Sequence, residues 1–387
     1  MSKSKQKSNS DIHVKVIEHA KINDSYNNFL ILQLTGSDIN NVILNTLRRV
    51  IMELVPTYAF DKTNIDITKN TSIYNNDYMR LRLCHFPIIG IDNPIETIQQ
   101  SANLEYEANI STFEKKIEDI NIIAEKEQAD KLEKAQNFII YINVKNTTSE
   151  ILSVTTSHQD IRYYYKTKPI QSPYIQPLLI IKLKPGEEFI STLTSTLNIG
   201  LKYANYMPNA VCSYVEESEH SYRFNLESLK QLTEKEIIIR ACHLIIIKLN
   251  NFLNIFTNKI KEYSSEKIID DFNLDNKQEI KQSDSETTTD SAIRNTSDDV
   301  LEQHRVKGMI TIENESHTFG NLLSKLLQDH PSILFAGYKI EHLLIKELTL
   351  GYKTDGNDII IILEDIINKA KDIFDQIKNK VEALNLT

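Results

Sequence analysis

The 387-residue sequence predicts an α+β fold in which two separate modules pack against each other within one chain. Two observations predict it. Residues 41–60 and residues 311–340 each place a helix with a polar face directly beside a strand segment. Between them, residues 275–299 contain only three apolar side chains, too few to offset the entropy of ordering the backbone, so we expect a flexible linker there.

Composition narrows the class of protein. Hydrophobic residues make up 41% and charged residues 25%, which are ordinary values for globular domains. The net charge of −9 disfavours an independent nucleic-acid binder, because phosphate contacts need clustered Lys and Arg. The sequence has no apolar run long enough to span a membrane, so we expect an intracellular protein without a membrane partner.

The sequence offers no set of residues for catalysis or metal binding. Cys84, Cys212 and Cys242 stand far apart, whereas a thiolate zinc site needs closely spaced ligand pairs. The common phosphate-loop, dinucleotide, serine-hydrolase and zinc-protease motifs do not occur in it. His317 has no Cys or Ser partner at a recognisable spacing. We therefore expect no catalytic residue, no metal and no cofactor.

The first module begins with two strands and a helix. Residues 12–18 and 29–34 are predicted strands separated by a polar turn. Asp38 is the predicted N-cap of a helix whose apolar residues recur at intervals of three or four, and Pro56 ends it. The opposite face of this helix carries Asn41, Asn45, Arg48 and Arg49.

Residues 92–207 are predicted to form an inserted β-rich domain, because strand-like segments replace the helical pattern there. Strands are also predicted on either side of it, and residues 211–226 are expected to return to the first module as one strand. The predicted strands before and within the insertion are 58–67, 78–89, 138–145, 151–155 and 178–184, with a charge-dense, weakly helical segment at 113–136.

A long helix closes the larger module. Thr233 and Glu236 form a capping box, in which each side chain satisfies an amide at the helix start. Apolar residues then recur every three or four positions, at Ile238, Ala241, Ile245, Leu249, Phe252, Phe256 and Ile260. With this helix the larger module comprises residues 11–91 and 208–269, preceded by a disordered tail at residues 1–10.

A linker at residues 270–304 leads to the smaller module, residues 305–387. Its predicted order is strand, helix, two strands and helix, a compact α+β unit. Ser316 or His317 opens the first helix, and the last helix extends back to Ile359. The predicted strands are Gly308–Glu313, 335–340 and 345–353.

The polar face of the first helix has two interpretations. Arg48 and Arg49 either form a solvated helix surface or bind a partner, since planar guanidinium groups match carboxylates and carbonyls. Asn45 on the same face either hydrogen-bonds to a partner's backbone or is simply exposed.

Further side chains are open to both structural and functional interpretation. His317 is expected to cap its helix or pack at an interface, and Gly320 to allow close approach of another backbone, unless it is a tolerated helix glycine. Gly337 and Tyr338 suit a turn followed by a buried aromatic residue. The tyrosines at 163–165, flanked by basic residues, suit base stacking less well than an ordinary strand edge or partner contact.

Two groups of motifs resemble the alpha-type assembly subunits of DNA-directed RNA polymerase. NTLRRVI at 45–51, VPT at 55–57, NTS at 70–72 and DYM at 77–79 with Arg82-Leu83 resemble the third-largest subunit of the eukaryotic and archaeal enzymes. HTFGNLL at 317–323, FAGYK at 335–339 and His342 resemble its smaller partner, the eleventh subunit of polymerase II. Their fusion in one chain resembles the arrangement in some large DNA viruses.

The resemblance implies two alpha-like dimerisation modules that pair through their helices and form a non-catalytic assembly platform. It implies partners: the largest and second-largest polymerase subunits and other small subunits, with DNA met only indirectly. A viral source would place the chain in the host cytoplasm and the virion, with the nucleus left open. The implied partner-binding residues are Asn45, Arg48, Arg49, Arg82, His317, Gly320, Asn321, Gly337 and Tyr338.

The sequence departs from the family pattern at two places. Many third-largest subunits hold a metal through cysteines of the inserted domain, and residues 92–207 contain no cysteine, so metal binding is not carried over. The smaller partner usually has His-Pro-Leu where this chain has His342-Leu343-Leu344. An interaction scaffold that uses the same dimer module outside transcription is the alternative function.

Overall fold

A computed structural model describes residues 12–21, 28–89, 91–109, 138–229, 231–275, 307–340 and 347–386. The predicted tail at 1–10, the charged segment at 113–136, linker residues 276–304 and His342 lie outside the described residues. The chain divides into two compact units, Met1–Leu244 with Gln376–Thr387 and Ile245–Asp375. In the described part of the chain, no helix is long and apolar enough to cross a membrane.

The first unit contains eleven described strands and three whole helices. The strands are β1 (His13–Lys21), β2 (Asn28–Thr35), β3 (Thr57–Asn70), β4 (Phe138–Lys145), β5 (Leu152–Thr155), β6 (Ile161–Tyr165), β7 (Lys168–Ile170), β8 (Leu179–Leu183), β9 (Glu188–Asn198), β10 (Asn209–Ser218) and β11 (Ser221–Ser228). The helices are α1 (Asn41–Glu53), α2 (Asn76–Leu83), α3 (Ser101–Asn109) and the start of α4 (Glu234–Asp275).

Four antiparallel strands in the order β1-β2-β11-β10 form the first sheet. The predicted strands at 12–18 and 29–34 are β1 and β2. Residues 211–226, predicted as one strand, instead form a hairpin of two strands. The chain reverses between them, where His220 adopts the left-handed conformation with φ of 57°. Strand-like residues continue on both sides of the short turn, so the sequence alone does not reveal where the chain reverses.

Helix α1 begins two residues later than predicted. Its N-cap is Asn40, whose Oδ1 accepts hydrogen bonds from the backbone N–H groups of Val42 at 2.9 Å and Ile43 at 3.0 Å. The prediction of Asp38 as the N-cap was wrong, because Asn40 directly precedes the first turn and satisfies its amides. The helix ends at Glu53, ahead of Pro56 as predicted.

A five-stranded sheet in the order β3-β9-β4-β6-β7 and a two-stranded sheet of β5 and β8 share one hydrophobic core. Its core contains the fully buried rings of Phe60, Phe138 and Phe189. The predicted strands at 138–145, 151–155 and 178–184 correspond to β4, β5 and β8. Strand β3, which a domain boundary at residue 92 assigns to the larger module, pairs with β9 of this sheet.

Helix α2 occupies residues that were predicted as a strand at 78–89, so that prediction was wrong. Asn75 caps the helix by accepting from the backbone N–H of Tyr78 at 2.8 Å. Met79 and Leu83, four residues apart, are both buried. The alternating pattern is equally compatible with this helical spacing, and the cap decides between the two.

Helix α4 begins with the predicted capping box. The backbone N–H of Thr233 donates to Glu236 Oε2 at 2.9 Å, and the backbone N–H of Glu236 donates to Thr233 Oγ1 at 3.3 Å. The predicted apolar stripe is buried from Ile238 to Phe256. The helix continues to Asp275, so its last turns occupy residues that composition alone assigned to the linker.

The second unit has the predicted order of strand, helix, two strands and helix. After the remainder of α4 it contains β12 (Lys307–Glu313), α5 (His317–Gln328), β13 (Ile333–Ile340), β14 (Glu347–Thr354) and α6 (Ile359–Glu382) as far as Asp375. The sheet order is β12-β14-β13, all antiparallel. Ser316 stands at the N-cap position of α5, and Ile359 is the first residue of α6, as predicted.

Gly337 and Tyr338 do not form the predicted turn. Both lie inside β13, where Gly337 pairs with Gly351 and Tyr338 pairs with Leu350 of β14. The predicted turn was wrong. A glycine can lie inside a strand as well as in a turn, so its presence alone does not decide between them.

Candidate docking surfaces

The polar face of α1 is held in place by contacts within the helix. Arg48 donates two hydrogen bonds to Asn45 Oδ1, from Nε at 3.2 Å and from Nη2 at 2.9 Å. Arg49 Nη2 lies 2.5 Å from Glu53 Oε1, and the Arg49 side chain is 42% exposed. The three predicted residues therefore lie together, and each guanidinium group makes a polar contact within the helix.

Beneath this helix, Cys212 of β10 is buried beside Arg48. Burial raises the pKa of the Cys212 thiol to about 12, and the positive charge of Arg48 only partly opposes the rise. The thiol is therefore neutral at physiological pH. A raised folded-state pKa stabilises the fold below the unfolded value of 9.0, and that contribution is lost as the pH rises further.

Cys212 provides a readout of the packing of α1. At about pH 8 a thiol with a pKa near 12 has roughly a thousandfold less thiolate than an ordinary one, so we expect alkylation of native Cys212 by iodoacetamide to be at least about tenfold slower than in the urea-unfolded chain. Peptide mass spectrometry measures the rate of Cys212 alkylation in each state. Equal rates in the two states would show that the thiol is not buried.

Gly200, which sequence reasoning missed, fixes the C-terminal end of α1. A Cβ added at Gly200 would overlap the carbonyl oxygen of Met52 and lie 2.9 Å from Met207 Cγ. The next residue donates a hydrogen bond from the N–H of Leu201 to the carbonyl of Glu53 at 2.9 Å. This glycine lies in a turn after β9, so local sequence accounts for the turn and only tertiary structure reveals the contact with α1.

Arg82 lies on α2 and ties that helix to the neighbouring sheet. Its Nη2 donates to the carbonyl oxygen of Leu179 in β8 at 2.9 Å. Tyr78 and Leu81 on the same helix are 46% and 45% exposed, and Tyr74 stacks on Tyr78 with ring centroids 5.2 Å apart. The predicted partner-binding arginine thus makes an internal contact beside an exposed apolar surface.

In the second unit, His317, Gly320 and Tyr338 pack together. The rings of His317 and Tyr338 meet edge to face with centroids 5.8 Å apart. A Cβ on Gly320 would overlap Leu348 Cδ1 and lie 2.7 Å from Tyr338 Cδ2. Gly320 therefore allows close approach of side chains on the sheet, and the prediction of a second backbone there was wrong. Asn321 is exposed on the same helix.

Helix α4 contacts the smaller module in both units. In the second unit the rings of Phe252 and Phe319 meet edge to face at 5.8 Å, and Lys248 Nζ lies 3.1 Å from Glu315 Oε2. In the first unit, Lys235 Nζ donates to the carbonyl oxygens of Glu382 at 2.5 Å and Leu384 at 3.1 Å. The last contact satisfies carbonyl groups at the end of α6.

The tyrosines at 163–165 divide between the core and the surface. Tyr163 is buried and donates to the carbonyl of Thr156 at 2.5 Å, and burial raises the pKa of Tyr163 to about 12. Tyr164 meets Tyr141 edge to face at 5.4 Å. Tyr165 donates to the carbonyl of Asp92 at 3.1 Å.

Across the described residues, no group of three or more His, Cys, Asp or Glu is arranged to hold a metal ion.

Both halves of the chain match one protein family. Residues 35–249 and residues 307–380 match two profiles that are each described as the RNA polymerase Rpb3/Rpb11 dimerisation domain. The first match begins at the end of β2 and extends over α1, strands β3 to β11 and the first part of α4. The second extends over the three-stranded sheet, α5 and most of α6.

Three relatives illustrate the similarity. The chain is 26% identical over 382 residues to a protein of Acanthamoeba polyphaga mimivirus named as a DNA-directed RNA polymerase subunit, covering 96% of this chain and 94% of that one. It is 34% identical over 86 residues to an RPB3-11 homolog of African swine fever virus, strain Badajoz 1971, covering 22% and 24%. It is 37% identical over 75 residues to the polymerase subunit Rpo11 of Thermococcus onnurineus, covering 19% and 76%.

Proposed function

Because the chain belongs to the family of the RNA polymerase Rpb3/Rpb11 dimerisation domain, we propose that it is a non-catalytic assembly subunit of a multisubunit DNA-directed RNA polymerase. Its two modules form an internal dimer that binds the largest and second-largest subunits and aligns them, so that their active site can form. Other small polymerase subunits complete the set of partners, and DNA is met only through the complex.

The observation that carries this proposal is the contact of α4 with the smaller module. The ion pair Lys248–Glu315 joins the two matched domains, and just beyond the end of the first match the ring of Phe252 meets Phe319 of the second. Both rings are about 95% buried, which is typical of a permanent interface. Because both domains share one chain, their pairing occurs at an effective concentration on the order of millimolar.

The face of α1 is the proposed contact for the large subunits. Arg48 is oriented by Asn45 and Arg49 by Glu53, so a partner carboxylate or carbonyl would meet guanidinium groups that have already lost part of their rotamer freedom. Such preorganisation lowers the entropic cost of binding.

Replacing Arg48 and Arg49 together with Ala tests this face. In co-expression with the two largest subunits, we expect recovery of the complex to fall at least about tenfold, because two charge-assisted contacts are lost. Arg223→Ala is the matched control, since Arg223 on β11 is an exposed arginine that pairs with Glu217 of β10. Slow alkylation of Cys212 shows that the double variant is folded.

The outcomes separate the candidate functions. Normal recovery of the large subunits by the double variant would contradict the assignment of the α1 face. Failure of the unmodified chain to recover either subunit would favour an interaction scaffold outside transcription.

The viral relatives support a proposed site of action in the host cytoplasm with packaging in the virion, which fractionation of infected cells and purified particles would test.

A further inference from the structure

The three-stranded sheet of the second unit has an outer face that points away from α5. Helix α5 lies against Leu348 and Tyr338, as the close approach at Gly320 shows. Side chains alternate between the two faces of a strand, so the residues that flank these two point the other way. We call this the outer face. It extends from Lys307 and Lys353 at one end to Glu313 and Glu347 at the other.

Like charges stand directly opposite each other at both ends of the outer face. Lys307 pairs in register with Lys353, and Glu313 pairs in register with Glu347. Cross-strand partners have Cβ atoms about 5 Å apart, where like charges destabilise a sheet. Within the described part of this unit, ion pairs form between other residues, such as Lys325 with Asp329. The arrangement costs stability in the isolated chain, and an oppositely charged partner would remove that cost.

The outer face is apolar beside the lysine pair, since Phe335 pairs in register with Lys353 and Met309 lies in the next row. Met309 is 76% exposed and Phe335 is 62% exposed. Met309, Gly351 and Gly337 form one row across the three strands, so two of its three positions have no side chain. The Phe335 ring borders this gap, since a Cβ on Gly337 would lie 3.3 Å from Phe335 Cζ. The result is a shallow depression between two exposed apolar side chains.

We infer that the outer face is a docking surface for a segment of another polymerase subunit, an inference that rests on the proposed function. The segment places an apolar side chain over Gly337 and Gly351, with acidic residues facing the lysine pair and basic residues facing the glutamate pair. Glu313 lies six positions after Lys307 along β12, which sets about 20 Å between the acidic and basic ends of the segment.

A second copy of this chain fits the outer face less well. A two-fold axis through the sheet would bring the lysine pair of one copy to the glutamate pair of the other. It would also lay the Met309–Gly351–Gly337 row over the row of Thr311, Thr349 and Lys339. Apolar side chains would then be buried against hydroxyl groups and a charge, so the face selects a different polypeptide.

Photo-crosslinking tests the docking surface in the full chain. The photoreactive residue p-benzoylphenylalanine replaces Met309, and the chain is co-expressed with the two largest subunits and the other small subunits. We expect a crosslink to one polymerase subunit, at a peptide that carries acidic residues. The variant Lys307→Glu/Lys353→Glu should reduce the crosslink about fivefold or more, because the acidic end of the partner would be repelled.

The charge reversal keeps two like charges opposite each other, so it leaves the repulsion within the sheet and the unfolding temperature nearly unchanged. Lys182→Glu/Lys184→Glu, at two exposed positions of the first unit, makes the same change in net charge and should leave the crosslink intact. A crosslink only to a second copy, no crosslink, or one insensitive to Lys307→Glu/Lys353→Glu would overturn the docking surface while recovery of the large subunits upheld the proposed function. Failure of the unmodified chain to recover them would overturn both.

Discussion

Replacing Gly200 with Ala is expected to lower the free energy of unfolding by about 3 kcal/mol. The added methyl group would overlap the carbonyl oxygen of Met52 in the last turn of α1. The Met207 side chain, 2.9 Å away, can move aside, but a helix carbonyl cannot move without the helix. The hydrogen bond from Leu201 to Glu53 would be strained by the same displacement. Urea unfolding followed by circular dichroism measures the loss.

The effect should extend to partner binding, because a displaced α1 carries Arg48 and Arg49 with it. We expect Gly200→Ala to reduce recovery of the large subunits and to accelerate alkylation of Cys212. Gly337→Ala is the matched control for stability: its Cβ would meet only the exposed Phe335 ring, and alanine in a strand can raise stability by up to about 1 kcal/mol. A Gly200→Ala chain as stable as the unmodified one would show that the two backbones do not lie in contact.

Features set by local patterns could be predicted from the sequence. The capping box of Thr233 and Glu236 and the apolar stripe of α4 involve residues three or four apart, so each follows from neighbours along the chain. The same holds for the start of α6 at Ile359. Helix α2 was missed because its alternation fits a strand as well as a helix, and the deciding hydrogen bond is accepted by Asn75, outside the apolar segment.

Contacts between distant residues could not be predicted from local patterns. Arg240 is 3% exposed and donates to the side chain of Asn93 at 3.2 Å and to its carbonyl at 2.5 Å. Burial lowers the pKa of Arg240, opposed by the charges of Glu236 and Glu96. Helical periodicity alone places a charged residue in solvent. The like-charge pairs of the outer face also became visible only through strand register.

The candidate site was predicted in part. Asn45, Arg48 and Arg49 share one helix face, as their spacing required. The family motif singled out His317, Gly320 and Tyr338, but it did not predict that they contact one another across α5 and β13. The reason is packing inside the smaller module. The role of all nine residues toward partners remains a prediction that binding experiments must test.

The second large effect is expected at the contact between α4 and α5. Phe319→Ala should lower the free energy of unfolding by about 3 to 4 kcal/mol, because it leaves a cavity where a ring that is 5% exposed packs. Phe252 loses its edge-to-face partner, and Lys248 Nζ loses the ring 5.7 Å away. Urea unfolding, combined with hydrogen exchange of the amides in both helices, measures the loss.

A double-mutant cycle with Phe252→Ala separates the pairing of the two modules from simple loss of packing. We expect a coupling energy of about 1 kcal/mol between the two rings. Phe335→Ala makes the same substitution at a ring that is 62% exposed, and should change stability by no more than about 0.5 kcal/mol. Additive effects of Phe252→Ala and Phe319→Ala would mean that the rings do not meet. A coupled loss, accompanied by lower recovery of the large subunits, is the result expected if assembly depends on the two modules being paired.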